Sequence, residues 1–247
     1  MKLTKVALAG VVSFSAVLAA GAPAFAEEAA ATMNSKAFIK FQENTDHVDP
    51  INPNNPGDNV EPVKPDDPNN PHEQGTNGPL SIDYVSNFKF EEQKASGNNE
   101  VYYANLDTVV KKGTKETLEV PNYIQVTDNR GTNKGWKLTV KQNEQFQTEK
   151  GVELEGAVLT LKNGTLQSAS GNAAPTTNQE GIQLTPGQAS DVITAKENQG
   201  MGTWTNAFGA TNDEAKKSVE LSVPGKAKKE KAMYTTSLTW ELKETPM

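Results

Sequence analysis

The 247-residue chain is 35% hydrophobic, 22% charged and only 6% aromatic, with a formal charge of −7, no cysteine and two histidines. Without cysteine, disulfide scaffolds, thiol nucleophiles, Cys-based zinc sites and iron–sulfur clusters are excluded; with only His47 and His72, His-rich metal sites and most His-dependent catalysis fall away. The acidic balance argues against a nucleic-acid partner, which needs a basic face, and the length allows one sizeable domain or two small ones.

Residues 1–26 read as a signal peptide. Lys2 and Lys5 precede an apolar run from Val6 to Ala20, and Ala24-Phe25-Ala26 supplies the small-x-small pattern of a cleavage site. The run is too short to span a bilayer core of about 30 Å. Cleavage near Glu27 removes two lysines and takes the formal charge from −7 to −9. Export without cysteine is consistent with a monoderm bacterium. Residues 27–45 carry one strand pattern, Ala37, Ile39 and Phe41 alternating with Lys36, Phe38 and Lys40, predicted to add to the main sheet from a distance.

Residues 46–79 differ in composition. They hold eight of the fourteen prolines, and seven acids face one lysine. So few apolar groups do not offset ordering entropy, so the stretch is expected to be an extended, largely disordered acidic linker. Both histidines lie in it. Its Asp and Asn residues lack the spacing of an EF-hand loop.

Residues 80–247 are nearly neutral, with 19 bases and 21 acids, and read as strands and turns. Ile82, Tyr84, Phe88 and Phe90 follow Gly78-Pro79 in a β-prone run. Tyr123–Val126, the turn Asp128-Asn129-Arg130-Gly131 and the alternation of Trp136, Leu138 and Val140 predict a hairpin. Ala157–Leu161 followed by Asn163-Gly164 predicts a second, because that dipeptide tolerates the positive φ of a type I′ turn. Val219, Leu221 and Val223 end at Pro224-Gly225. Tyr234, Thr236, Leu238, Trp240 and Leu242 share one face of a last strand, and only Asp213–Ser218 suits a turn or two of helix. The expected fold is all-β, an Ig-sized sandwich or distorted barrel. After the expected cleavage no transmembrane helix is expected, since no later apolar run exceeds about five residues. The last residues, Glu244-Thr245-Pro246-Met247, have neither the hydrophobic tail nor the basic stop of a wall-linking sortase signal, so any retention on a cell is expected to be non-covalent.

Two of the three tryptophans stand in Trp-x-Leu, as Gly135-Trp136-Lys137-Leu138-Thr139-Val140 and as Leu238-Thr239-Trp240-Glu241-Leu242. Gly78-Pro79-Leu80-Ser81-Ile82-Asp83-Tyr84 precedes them, and Gly202-Thr203-Trp204 lies between. With these flanks, the chain from residue 27 to 247 resembles the WxL-domain family of surface proteins of low-GC Gram-positive bacteria. One departure is Phe90-Glu91, where the family pattern leads one to expect glycine after the phenylalanine.

The resemblance implies a secreted protein of the cell wall and cell surface that associates non-covalently with peptidoglycan. It also implies work beside other surface proteins, including a larger membrane-anchored partner. The alternative is a structural or adhesive subunit held on the cell by such a partner. The candidate binding residues are Trp136, Lys137, Leu138, Trp240, Glu241 and Leu242, with Trp204 secondary. In a strand, Trp-x-Leu puts both large residues on one face, so each motif either packs a core or offers an indole to a sugar ring; the sequence leaves both open. Lys226, Lys228, Lys229 and Lys231 crowd one loop, read as a solvated hairpin loop rather than a contact to anionic wall polymer. Glu153 and Glu155, two apart, are expected to be neighbours on an exposed strand face rather than a glycosidase pair. No catalytic residues, metal or cofactor are expected.

Overall fold

The computed structural model describes residues 31–63 and 72–245. The signal segment expected at 1–26 lies outside the described residues. Residues 31–40 form no strand, and Phe38 and Ile39 are 89% and 81% exposed. The strand expected over Ala37–Phe41 is therefore not formed: Phe41, in the following unit, is likewise exposed. An alternating pattern makes a strand only where a partner edge supplies its hydrogen bonds.

Among the described residues from 41 onward, short antiparallel strands are arranged in four four-stranded sheets, with one single-turn helix, α1 (Asn212–Ala215), capped by the Thr211 hydroxyl. The fold is all-β, and the sheets stay open rather than closing into a barrel. The central sheet runs β10 (Gly164–Gln167), β14 (Gly202–Phe208), β7 (Tyr123–Asp128) and β3 (Leu80–Val85). Every residue of β7 is buried, because both faces of this sheet are covered. Ile124 and Val126 enter the main core, while Tyr123 packs with Val60, Tyr84 and Val109 in a second, smaller core.

The second core lies under a sheet of β1 (Ile51–Asn52), β2 (Asn55–Pro62), β5 (Asp107–Lys111) and β6 (Thr117–Val120). Its first two strands come from the stretch expected to be an extended linker. Ile51 and Val60 are the reason: both are buried, and two apolar anchors suffice to order a hairpin against a preformed sheet. Residues 64–71 of that stretch lie outside the described residues. The main core is enclosed by two further sheets, β11 (Thr176–Thr177), β13 (Ala189–Ala195), β8 (Trp136–Gln142), β16 (Leu238–Glu244), and β12 (Ile182–Gln183), β9 (Val158–Leu161), β15 (Val219–Val223), β4 (Glu100–Tyr103).

Neither predicted hairpin forms. β7 and β8 belong to different sheets, and so do β9 and β10. At Asn163-Gly164 only Asn163 has positive φ, and a type I′ turn needs two such residues. Gly164 serves close approach instead: a Cβ there would lie 2.7 Å from Thr177 Oγ1 and 2.8 Å from Asn178 O. The chain turns a corner between sheets at that point. The loop after β7 is likewise a corner, fixed by Arg130, which pairs through Nε and Nη2 with both Asp128 oxygens at 2.9 and 2.8 Å and donates to Gly135 O at 2.9 Å.

Candidate functional site

The two Trp-x-Leu motifs meet. β8 and β16 pair antiparallel, with Leu138 opposite Leu242, Val140 opposite Trp240 and Trp136 opposite Glu244. Their large residues therefore share the inner face. Trp136 and Leu138 are fully buried, and Trp240 and Leu242 are half-buried and packed against the same core. The Trp136 indole donates to Gly200 O at 3.0 Å. Trp204, on β14, is 5% exposed and donates to Met201 O at 3.1 Å. Trp136 and Trp204 thus present no open face for a sugar to stack on; they hold the β8 sheet and the central sheet to one core.

The glycines around the motifs follow from that burial. Gly200 has φ of +72°, and a Cβ there would sit 2.8 Å from Trp136 Nε1. Gly135 has φ of +77°, and its Cβ would sit 2.3 Å from Ala195 O. The link between Gly200 and Trp136 was not visible in sequence; a lone glycine 64 positions away carries no signal of what it touches. Arg130 completes the arrangement with a 3.1 Å ion pair to Glu244 at the end of β16.

With the indoles turned inward, the middle residues of the motifs point outward. Lys137, Thr139 and Lys141 of β8 line up with Thr239, Glu241 and Lys243 of β16 on one polar face. Lys137 pairs with Asp191 of β13 at 2.9 Å, and Lys243 with Glu241 at 2.8 Å. These pairs neutralise the like charges of Lys137 and Lys243, which stand directly opposite each other.

At the end of β8 this face runs into a groove of about 660 Å³, lined by Asn143, Glu144, Gln145, Gln147, Glu153 and Glu155 and closed by the Pro186-Gly187 turn. Asn143 ties the groove to β16, accepting from Thr239 at 3.0 Å and donating to Ser237 at 2.9 Å. Glu153 and Glu155 do not lie on one strand as expected. Glu153 forms an isolated bridge with Gln147, and Glu155 falls in the following turn. Two of the four loop lysines are committed: Lys229 Nζ donates to Pro224 O at 2.9 Å, and Lys228 pairs with Glu230 at 3.0 Å.

His72 stacks on Tyr84, which stacks on Tyr123, with ring centroids 5.0 and 4.6 Å apart. Tyr84 and Ser86 both donate to Asp107 Oδ2, at 2.7 and 2.5 Å. Burial holds His72 below the ordinary imidazole range, against the pull of Asp107, and pushes both tyrosines up. Among the described residues no group of three or more His, Asp or Glu could hold a metal ion, and no helix is long and apolar enough to cross a membrane.

The family model for the WxL domain, described as surface cell wall-binding, matches residues 28–246. No curated protein matches the chain.

Proposed function

We propose, from the premise that the chain belongs to the WxL family of surface cell wall-binding domains, that it is secreted and held non-covalently on the Gram-positive wall, and that it contacts peptidoglycan through the outward face of β8 and β16 and the acidic groove at its end. The observation that carries this reading is the groove's lining. Carboxylates and amides accept from and donate to vicinal sugar hydroxyls and N-acetyl groups. Glu144, Glu153 and Glu155 together add acceptors suited to a stem-peptide ammonium. An open groove continuous with a flat sheet face suits a polymer, which enters and leaves without ends. The same carboxylates oppose phosphate-bearing wall polymers. This is a binding role, with no catalytic step assigned.

The test is a Glu144→Gln, Glu153→Gln, Glu155→Gln variant in pelleting with wall stripped of teichoic acid. The reading expects at least tenfold weaker retention with unchanged melting. Equal retention, or retention by the parent only when teichoic acid is present, overturns it. A second reading, a subunit held by an anchored surface partner, draws on β16 being a sheet edge. Its unpaired side could accept a strand from another chain.

A further inference from the structure

A second cleft, of about 410 Å³, opens on the other side of the central sheet, at the small end of the range for ligand sites. One wall is the segment from His47 to Asn59, and the other is the loop at Ser168–Ser170, with Thr203 between them. Both walls are pinned to the sheet by side chains. Gln125 accepts from Ile51 N at 2.7 Å and donates to Asp49 O at 3.0 Å. Ser168 donates to Thr203 O at 2.7 Å, and Asn172 to Met201 O at 3.0 Å. The cleft is therefore formed before any ligand arrives.

Behind it sits Asp83, the extra residue of a β-bulge where Ile82 faces Val126 and Tyr84 faces Gln125. Its carboxylate is buried and accepts from Ser81 at 2.5 Å, Thr127 at 2.6 Å and Gln125 at 3.0 Å. Counting donors outward from this acid fixes what the cleft can offer. The Thr127 proton is spent on Asp83, so in the 2.8 Å contact between Thr127 and Thr203 it is Thr203 that donates. The Ser168 proton is spent on Thr203 O, so Ser170 donates in the 2.8 Å contact between the two serines. Thr203 Oγ1 thus faces the cleft with lone pairs only, and Ser170 Oγ, which also accepts from Asn172 Nδ2 at 3.2 Å, keeps one lone pair free. Asp49 adds a carboxylate, with one oxygen on Lys112 at 2.5 Å. Apolar surface comes from Val48, Ile51 and Pro56, while the Asn59 amide and the His47 ring bring donors.

We infer that this cleft is a subsite for a neutral N-acetylated hexosamine, whose hydroxyl and amide protons meet Thr203, Ser170 and Asp49 while its C–H faces lie on the apolar wall. The Asp49 carboxylate, which has no proton to give, disfavours an anionic group placed against it. The inference rests on the wall-binding reading for its ligand class but uses a site distinct from the groove beside β16.

The test titrates the purified protein with N-acetylglucosamine and its β-1,4-linked dimer, followed by amide NMR shifts. Saturable shifts confined to residues 47–51, 168–170 and 203 are expected, and N-acetylglucosamine 6-phosphate should bind at least tenfold more weakly. Thr203→Val should weaken binding about tenfold, the loss of one hydrogen-bond acceptor. Ala169→Trp, at an exposed position on the loop, should abolish binding with an unchanged melt. Shifts that are absent or lie elsewhere, equal binding of the phosphate, or an Ala169→Trp variant that still binds would each overturn the inference. Pelleting on peptidoglycan without cleft shifts overturns the cleft alone; cleft shifts without pelleting overturn the wall reading alone.

Discussion

Replacing Trp136 with alanine separates a core role from a ligand role most sharply. The indole is fully buried and hydrogen-bonded to Gly200 O. Burying about 200 Å² of indole at about 25 cal/mol per Å² is worth about 5 kcal/mol. Alanine keeps a small part of that and leaves a cavity, which places the measured range for such changes at about 3–5 kcal/mol. The orphaned Gly200 carbonyl adds about 1 kcal/mol. For a domain of this size each kcal/mol moves the midpoint by about 2–4 °C. A loss near 5 kcal/mol therefore lowers the melting temperature by about 10–20 °C and removes much of the stability a domain typically has. Trp240→Ala, half-buried on the sheet edge, should cost about half as much. Calorimetry and urea titration of both variants give the numbers. If Trp136→Ala melts within about 1 kcal/mol of the parent and still fails to bind wall, the core assignment is refuted.

Gly200→Ala should cost about 2–4 kcal/mol in urea unfolding, from left-handed backbone strain together with the clash on the Trp136 indole. Glu91 has φ of +55° at the position where the family pattern leads one to expect glycine. Glu91→Gly should leave stability unchanged or raise it by up to about 1 kcal/mol, while Glu91→Val should lower it by about 1–2 kcal/mol. Burial raises Asp83 above the ordinary carboxylate value despite its three donors. The folded state then holds that proton more tightly than the unfolded chain, so between the two values Asp83 contributes more stability as pH falls. Asp83→Asn should abolish this component in denaturation curves taken across acid pH. His72 runs the other way: its folded value is lowered, so its share of stability is lost as pH falls below about 6.5. His72→Phe, which keeps a ring on Tyr84, should flatten that dependence.

Part of the sheet structure was legible in the sequence because its strands alternate strictly. β15 and β16 show the pattern without ambiguity, and α1 overlaps the stretch read as helical, starting one residue earlier and ending at Ala215. What the sequence hid was connectivity. Turn chemistry at Asn163-Gly164 and Asp128–Gly131 is local, whereas the sheet to which each flank belongs depends on which faces are buried. β7 is buried on both faces, a state that alternation alone does not announce. The hairpin of β1 and β2 was masked by proline and acid content, since composition averages over Ile51 and Val60, the two residues that decide it. Of the candidate site, the motifs themselves were plain, as was the choice they posed. Their pairing on β8 and β16, which turns Lys137 and Glu241 outward together, needed the register. The groove joining Glu144 to Glu153 and Glu155 is set by loops whose path no periodicity records.

The central claim is that the domain itself holds peptidoglycan. The measurement that tests it most directly is co-sedimentation of the purified protein with Gram-positive peptidoglycan stripped of proteins and teichoic acid, titrated to saturation. The account predicts saturable pelleting that the groove variant weakens at least tenfold. Absence of pelleting with a folded protein would contradict it and move the site of attachment to a surface partner.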